Sequence, residues 1–174
     1  MNKKYLLIIL LGIFLSLSGC GNSTTTKIQF ENFNLDLKTN QQYFINDIGD
    51  QNSGIIIYKG SDQEDSEFIN SLVILSTPTK QNIKDFVDQN MNKLNSSISS
   101  IETTNTQTLS FNCSGTKTIG IIKSFLTNDD DIENYFSQYF FLYDEKGYII
   151  SFSSDNEDDN IDFQKSLTSL SCIK

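Results

Sequence analysis

The 174-residue chain contains no histidine, no arginine and no tryptophan. Without histidine it lacks the commonest general base and transition-metal ligand, and every Ser/His/Asp or Cys/His arrangement is excluded. Without arginine it has no bidentate clamp for phosphate or carboxylate. These two absences close off most hydrolase and transferase designs. Positive charge is also scarce, because 13 lysines stand against 22 acidic residues and leave a net charge of −9. Such a surface repels nucleic-acid phosphates, so no nucleic-acid partner is expected. No internal repeat of about 20 to 50 residues is visible, which argues against a solenoid.

What is present begins with Lys3-Lys4, an apolar run from Tyr5 to Leu17, and then Leu17-Ser18-Gly19-Cys20. A helix over that run would span roughly 20 Å against about 30 Å of hydrocarbon, too short for a permanent crossing. The run reads instead as a signal h-region behind a positive n-region. It resembles the signal peptide and lipobox of bacterial lipoproteins. That resemblance implies cleavage between Gly19 and Cys20, a covalent diacylglycerol on the Cys20 sulfur with a further N-acyl (palmitate-type) chain, and no other cofactor. Each buried methylene contributes about 0.8 kcal/mol, so two or three acyl chains make a stable membrane anchor. The expected organisation is a signal peptide over residues 1–19, a lipidated cysteine and flexible tether over 20–27, and one domain over 28–174 on the extracytoplasmic face of the cell membrane. Removal of Lys3 and Lys4 leaves the mature side chains still more acidic, and no lysine-rich face beside the anchor would hold the domain flat on anionic lipid.

Within the domain, Ile28 and Phe30 alternate, and Phe33, Leu35 and Leu37 alternate in a shifted phase, so the break at Glu31-Asn32 predicts two short strands and a turn. Ile55 to Tyr58 and Phe68 to Leu75 read as strands, and Thr77-Pro78-Thr79 marks a change of period. From Lys80 to Asn95 the apolar residues Ile83, Phe86, Val87, Met91 and Leu94 recur at steps of three and four, which predicts an amphipathic helix. Two Ser/Thr-rich strands are expected over Ile98–Thr104 and Thr108–Cys113, with a turn at Ser114-Gly115 leading into Thr116–Leu126. A hairpin follows, Tyr135–Tyr143 and Tyr148–Ser153, with Gly147 supplying a left-handed turn position. A last helix should place Phe163, Leu167 and Leu170 on one face. The fold class is therefore α+β, an antiparallel sheet of about six to eight strands packed with two helices.

The order of these elements resembles the PsbP-like fold family, over about Lys27 to Ile173. The resemblance rests on the early strand pair, the Thr77-Pro78-Thr79 entry to a mid-chain helix, the aromatic hairpin with Tyr148-Ile149-Ile150-Ser151-Phe152, and the closing helix. The chain departs from the family pattern after the second strand, where Thr39-Asn40-Gln41-Gln42-Tyr43 replaces the usual Pro and Trp. The resemblance implies a binding or assembly role beside a membrane and carries no catalytic signature.

Four sets of residues can carry chemistry. Cys113 and Cys172 form an even pair once Cys20 is acylated; they are either a bridge closing about 60 residues, worth roughly 4 kcal/mol, or two small buried hydrophobes. Asp129, Asp131 and Glu133, and again Asp155, Glu157 and Asp159, alternate as oxygen donors for Ca²⁺ do. The second run lacks the Gly and Glu of an EF-hand, having Asn160 and Ser166 there, and solvated loops or helix N-terminal charge explain both runs. Tyr139, Phe141, Tyr143 and Tyr148 make an aromatic stripe, either a recognition face for glycan or protein or core beneath a helix. The functional expectation is a non-catalytic, lipid-anchored module whose partner is an envelope protein or glycan. The alternatives are a small carboxylate-dependent envelope hydrolase, for which no pair of acids is singled out, and a Ca²⁺-binding surface protein.

Overall fold

The structure, a computed structural model, describes residues 24–39, 43–47, 54–59, 71–98, 101–129 and 132–173. The chain starts with a hairpin, β1 (Thr24–Phe30) and β2 (Phe33–Thr39), in register from Thr24 opposite Thr39 to Phe30 opposite Phe33. Ile28, Phe30, Phe33, Leu35 and Leu37 are buried while Lys27, Gln29 and Asn34 face solvent, as the shifted alternation predicts. The strand begins at Thr24, four residues before Ile28, so part of the expected tether is paired. Three β-branched threonines need only a backbone partner to extend a strand, and no apolar signal announces it. The expected signal peptide and Cys20 lie outside the described residues.

Next come β3 (Tyr43–Asp47), β4 (Gly54–Lys59), β5 (Ser71–Pro78) and helix α1 (Ile83–Ser97). The helix starts at Ile83, three residues after the expected Lys80, because Asn82 caps it: the Asp85 N–H donates to Asn82 Oδ1 at 3.0 Å. Strand β6 (Ile101–Cys113) then runs unbroken through the two strands expected there, with one register shift between Thr103 and Asn105. Residues 105–107, left between the two expected strands, are exposed strand that follows a bulge.

Strands β7 (Thr116–Asp129), β8 (Ile132–Tyr143) and β9 (Lys146–Ser154) complete a sheet in the order β3-β4-β5-β9-β8-β7-β6, antiparallel throughout. The β8–β9 turn is tighter than expected. Asp144 and Glu145 take the two positive φ values, 50° and 55°, and Gly147 already belongs to β9. Glycine is needed at 147 for a different reason: a Cβ there would collide with the ring of Phe86, which lies on the backbone.

Helix α2 (Glu157–Ser166), a 3-10 turn (Leu167–Ser169) and β10 (Ser171–Cys172) end the chain. Strand β10 pairs with β2, so β1, β2 and β10 form a second, three-stranded sheet. Among the described residues the expected antiparallel α+β fold with two helices is present, and the main sheet has seven strands. The main core lies between the two sheets, closed at one side by Phe163, Leu167 and Leu170. A smaller core lies on the other face of the large sheet, where Phe86 and Val87 of α1 pack on Phe140 and Ile149.

Candidate functional site

The most connected polar group among the described residues is Glu31, in the two-residue turn between Phe30 and Phe33. Its backbone takes a positive φ of 46°, which aims the carboxylate from the small sheet onto the large one. Ser76 on β5 donates to Oε1 at 2.7 Å, Tyr148 on β9 donates to Oε2 at 2.7 Å, and Lys146 Nζ lies 3.1 Å from both oxygens. The Glu31 side chain retains 18 % of its exposure, against 40 % for Lys146. Burial pushes the carboxyl upward, but the hydrogen bonds from Tyr148, Ser76 and Lys146 and the charge of Lys146 outweigh it and hold Glu31 below its ordinary range. The same contact, together with burial, raises the Tyr148 hydroxyl well above its usual value. The cluster is therefore an ionised acceptor whose oxygens are taken up by three donors. It ties the two sheets together and offers no proton for acid catalysis.

The other side of that turn is held by the C-terminus. Ile173 N–H donates to the Asn32 carbonyl at 2.8 Å, and Cys172 sits opposite Phe33. Cys172 forms a disulfide with Cys113 at the end of β6, with 5.1 Å between the Cα atoms. The geometry brings the two cysteines together across 59 residues of sequence. Charge on one side and sulfur on the other thus fasten the Glu31-Asn32 turn to the large sheet.

The aromatic stripe is not a recognition surface. Tyr139, Phe141 and Tyr148 are at most 1 % exposed, and Phe141 stacks on Tyr148 with centroids 4.8 Å apart. Tyr143 is half-buried against Phe33. The cover is the small sheet rather than a helix, with Phe33 inserted edge-on among Tyr148, Phe141, Tyr143 and Phe111. Tyr139 donates to the Leu109 carbonyl at 3.3 Å, and burial raises its hydroxyl. Between the sheets a cavity of about 10 Å³, lined by Ile28, Leu35, Ile74, Ile150 and neighbouring side chains, is at the lower limit for one water.

The two acidic runs lie at the end of β7 and at the start of α2. Asp129 ends β7 opposite Ile132, Asp131 lies outside the described residues, and exposed Glu133 accepts from the Tyr135 hydroxyl at 2.8 Å. Asp155, Glu157 and Asp159 stand at the start of α2, where Asn156 caps the Asp158 N–H and Ser154 donates to Asp159 at 3.3 Å. Among the described residues no group of three acids, cysteines or histidines is placed to hold a metal ion. A polar layer lies under α2, where Gln164 donates to Ser124 and Ser137 at 3.2 and 3.1 Å. Neither this layer nor the role of Glu31 is signalled by local sequence, since each joins residues at least 27 positions apart.

No protein-family model and no curated protein matches the chain. Its fold is similar to that of cyanobacterial PsbP (CyanoP) from Synechocystis sp. PCC 6803, with a TM-score of 0.57 and 12 % identity, covering 89 % of this chain and 96 % of that one. A protein of unknown function from Pseudomonas aeruginosa is similar with a TM-score of 0.51 and 11 % identity, covering 83 % of this chain and 94 % of the other. At such identities the likeness speaks for the fold, which is PsbP-like.

Proposed function

We propose that the chain is a non-catalytic lipoprotein, anchored through Cys20 to the extracytoplasmic face of the cell membrane, that works as a binding or assembly module for an envelope protein or glycan. The observation that carries this reading is the run from Lys3-Lys4 through the apolar segment to Leu17-Ser18-Gly19-Cys20. No helix among the described residues is long and apolar enough to cross a membrane. The PsbP-like fold supports a module whose role lies in its surfaces.

Strand β1 begins at Thr24, so only residues 21–23 separate Cys20 from paired backbone. Four steps of extended chain reach at most about 14 Å, which keeps the start of β1 close to the lipid and the partner within the same layer. Cell fractionation of Cys20→Ser tests the anchor. The variant is expected to leave the membrane fraction with its fold intact, and its retention there would contradict the reading.

A further inference from the structure

Two large apolar side chains stand out to solvent among the described residues, Ile119 at 52 % exposure and Ile161 at 41 %. They lie on opposite sides of the large sheet and carry opposite electrostatic surroundings. Ile119 is on the face that bears α1, but α1 rests on β8 and β9 through Phe140 and Ile149, with Ile121 of β7 packed at the edge of that cluster. Beyond Ile121, Ile119 and Lys117 of β7 and the facing residues of β6 are exposed. Lys117, Ile119, Ile121 and Lys123 alternate along β7, and their β6 partners Asn112, Ser110, Thr108 and Thr106 are all exposed and uncharged. Lys123 Nζ donates to Thr106 at 3.0 Å, and neither lysine makes an ion pair among the described residues. The strip is two strands, or about 10 Å, wide, which is the breadth of one α-helix.

Ile161 is on the outer surface of α2, whose inner residues Phe163 and Leu167 belong to the core between the sheets. Glu157 and Asp158 lie one helical turn before it and Lys165 one turn after, with Asp162 adjacent in sequence, so three carboxylates and one ammonium flank the exposed isoleucine. Asp162 is shared with Lys165 in an exposed pair at 2.9 Å.

We propose that α2 of one copy docks on the β6–β7 strip of a second copy, Ile161 against Ile119, with Lys117 and Lys123 facing the carboxylates of the helix. The setting rests on the anchored-module reading. The two surfaces are different and lie on opposite sides of the molecule, so the contact is heterologous and extends into rows rather than closing a pair. A whole-chain charge of −9 opposes association in bulk solution. Copies anchored in one leaflet are held at a high effective concentration, and there the local complementarity prevails. Strand addition at β6 is disfavoured by the bulge between Thr103 and Asn105, which breaks the edge ladder.

The test uses full-length lipidated protein in phosphatidylcholine vesicles, half of it labelled with heavy isotopes, with a benzophenone photo-crosslinker at Ser110 beside Ile119. Crosslinks between light and heavy copies are expected to fall within Glu157–Lys165. Lys117→Glu with Lys123→Glu should lower their yield by about tenfold or more, and mixing in copies that carry Asp158→Lys with Asp162→Lys should restore it. Lys117 and Asp158 are exposed and Lys123 and Asp162 half-exposed, so melting curves are recorded beside the yields; if a reversal variant fails to fold, Ile119→Ser is read in the same way. Crosslinks elsewhere on the chain, crosslinks to lipid alone, or a yield indifferent to charge reversal would overturn the proposal. The same probe in intact cells separates it from the reading on which it rests. Crosslinks from position 110 to another envelope protein overturn self-docking and leave the binding module standing, whereas crosslinks only between copies keep the surface and remove the external target.

Discussion

The two faces of the large sheet are closed in different ways. One is covered by a second sheet, α2 and the C-terminal strand, and is fastened by Glu31 and by the Cys113–Cys172 bridge. The other carries α1, resting on Phe140 and Ile149 with Ile121 at its edge, while β6 and the Lys117–Ile119 end of β7 are exposed beside it. The difference teaches that, among the described residues, most aromatic contacts hold the two sheets together, while the large apolar side chains left exposed are single isoleucines.

Substitutions on the two faces should separate them, beginning with the largest effect. Phe33→Ala removes a ring in edge contact with four others and should cost about 5 kcal/mol, the upper end for such a change, read as a loss in chemical denaturation. Replacing Cys113 and Cys172 together with serine should cost about 2 to 4 kcal/mol, and thiol titration of the unfolded, unreduced wild type should find neither cysteine free. On the thinner face, Phe86→Ala should cost about 3 kcal/mol, the lower end for phenylalanine, because its ring meets one aromatic neighbour. If Phe86→Ala proved as damaging as Phe33→Ala, the contrast between the faces would be wrong.

Glu31→Gln should have the smallest effect, about 1 to 3 kcal/mol at neutral pH, because a charge-assisted acceptor becomes neutral. Its pH dependence has a definite sign. Glu31 titrates lower in the folded protein than its usual 4.5, so its contribution is complete above that value and fades as the pH falls through the lower, folded-state value. Wild type and Glu31→Gln should therefore converge in stability only in strong acid. Convergence between pH 5 and 8 would mean that the carboxylate is not held as described.

Much of this architecture was legible in the sequence wherever a local period carried it. The shifted alternation around Glu31-Asn32, the three-and-four spacing of Ile83 to Leu94, and the aromatic hairpin all became the expected elements. What local patterns missed depends on distant partners or on exposure. Residues 101–113 make one strand because β7 supplies a partner on both sides of the bulge, although the side chains of 102–108 are all polar. Asp144 and Glu145 occupy left-handed positions that glycine usually takes, while Gly147 is reserved for the Phe86 ring. The second sheet is completed by two residues, Ser171 and Cys172, too few to show a period. The Glu31 tie joins positions up to 117 apart, and nothing near Glu31 announces it.

The claim that governs all the others is the lipid on Cys20, since it places the domain and limits what it can reach. Mass spectrometry of the protein extracted from membranes and cut after Lys27 tests it directly. The account predicts an N-terminal peptide Cys20–Lys27 carrying a diacylglyceryl thioether. An unmodified Cys20, or a chain that retains residues 1–19, would contradict it.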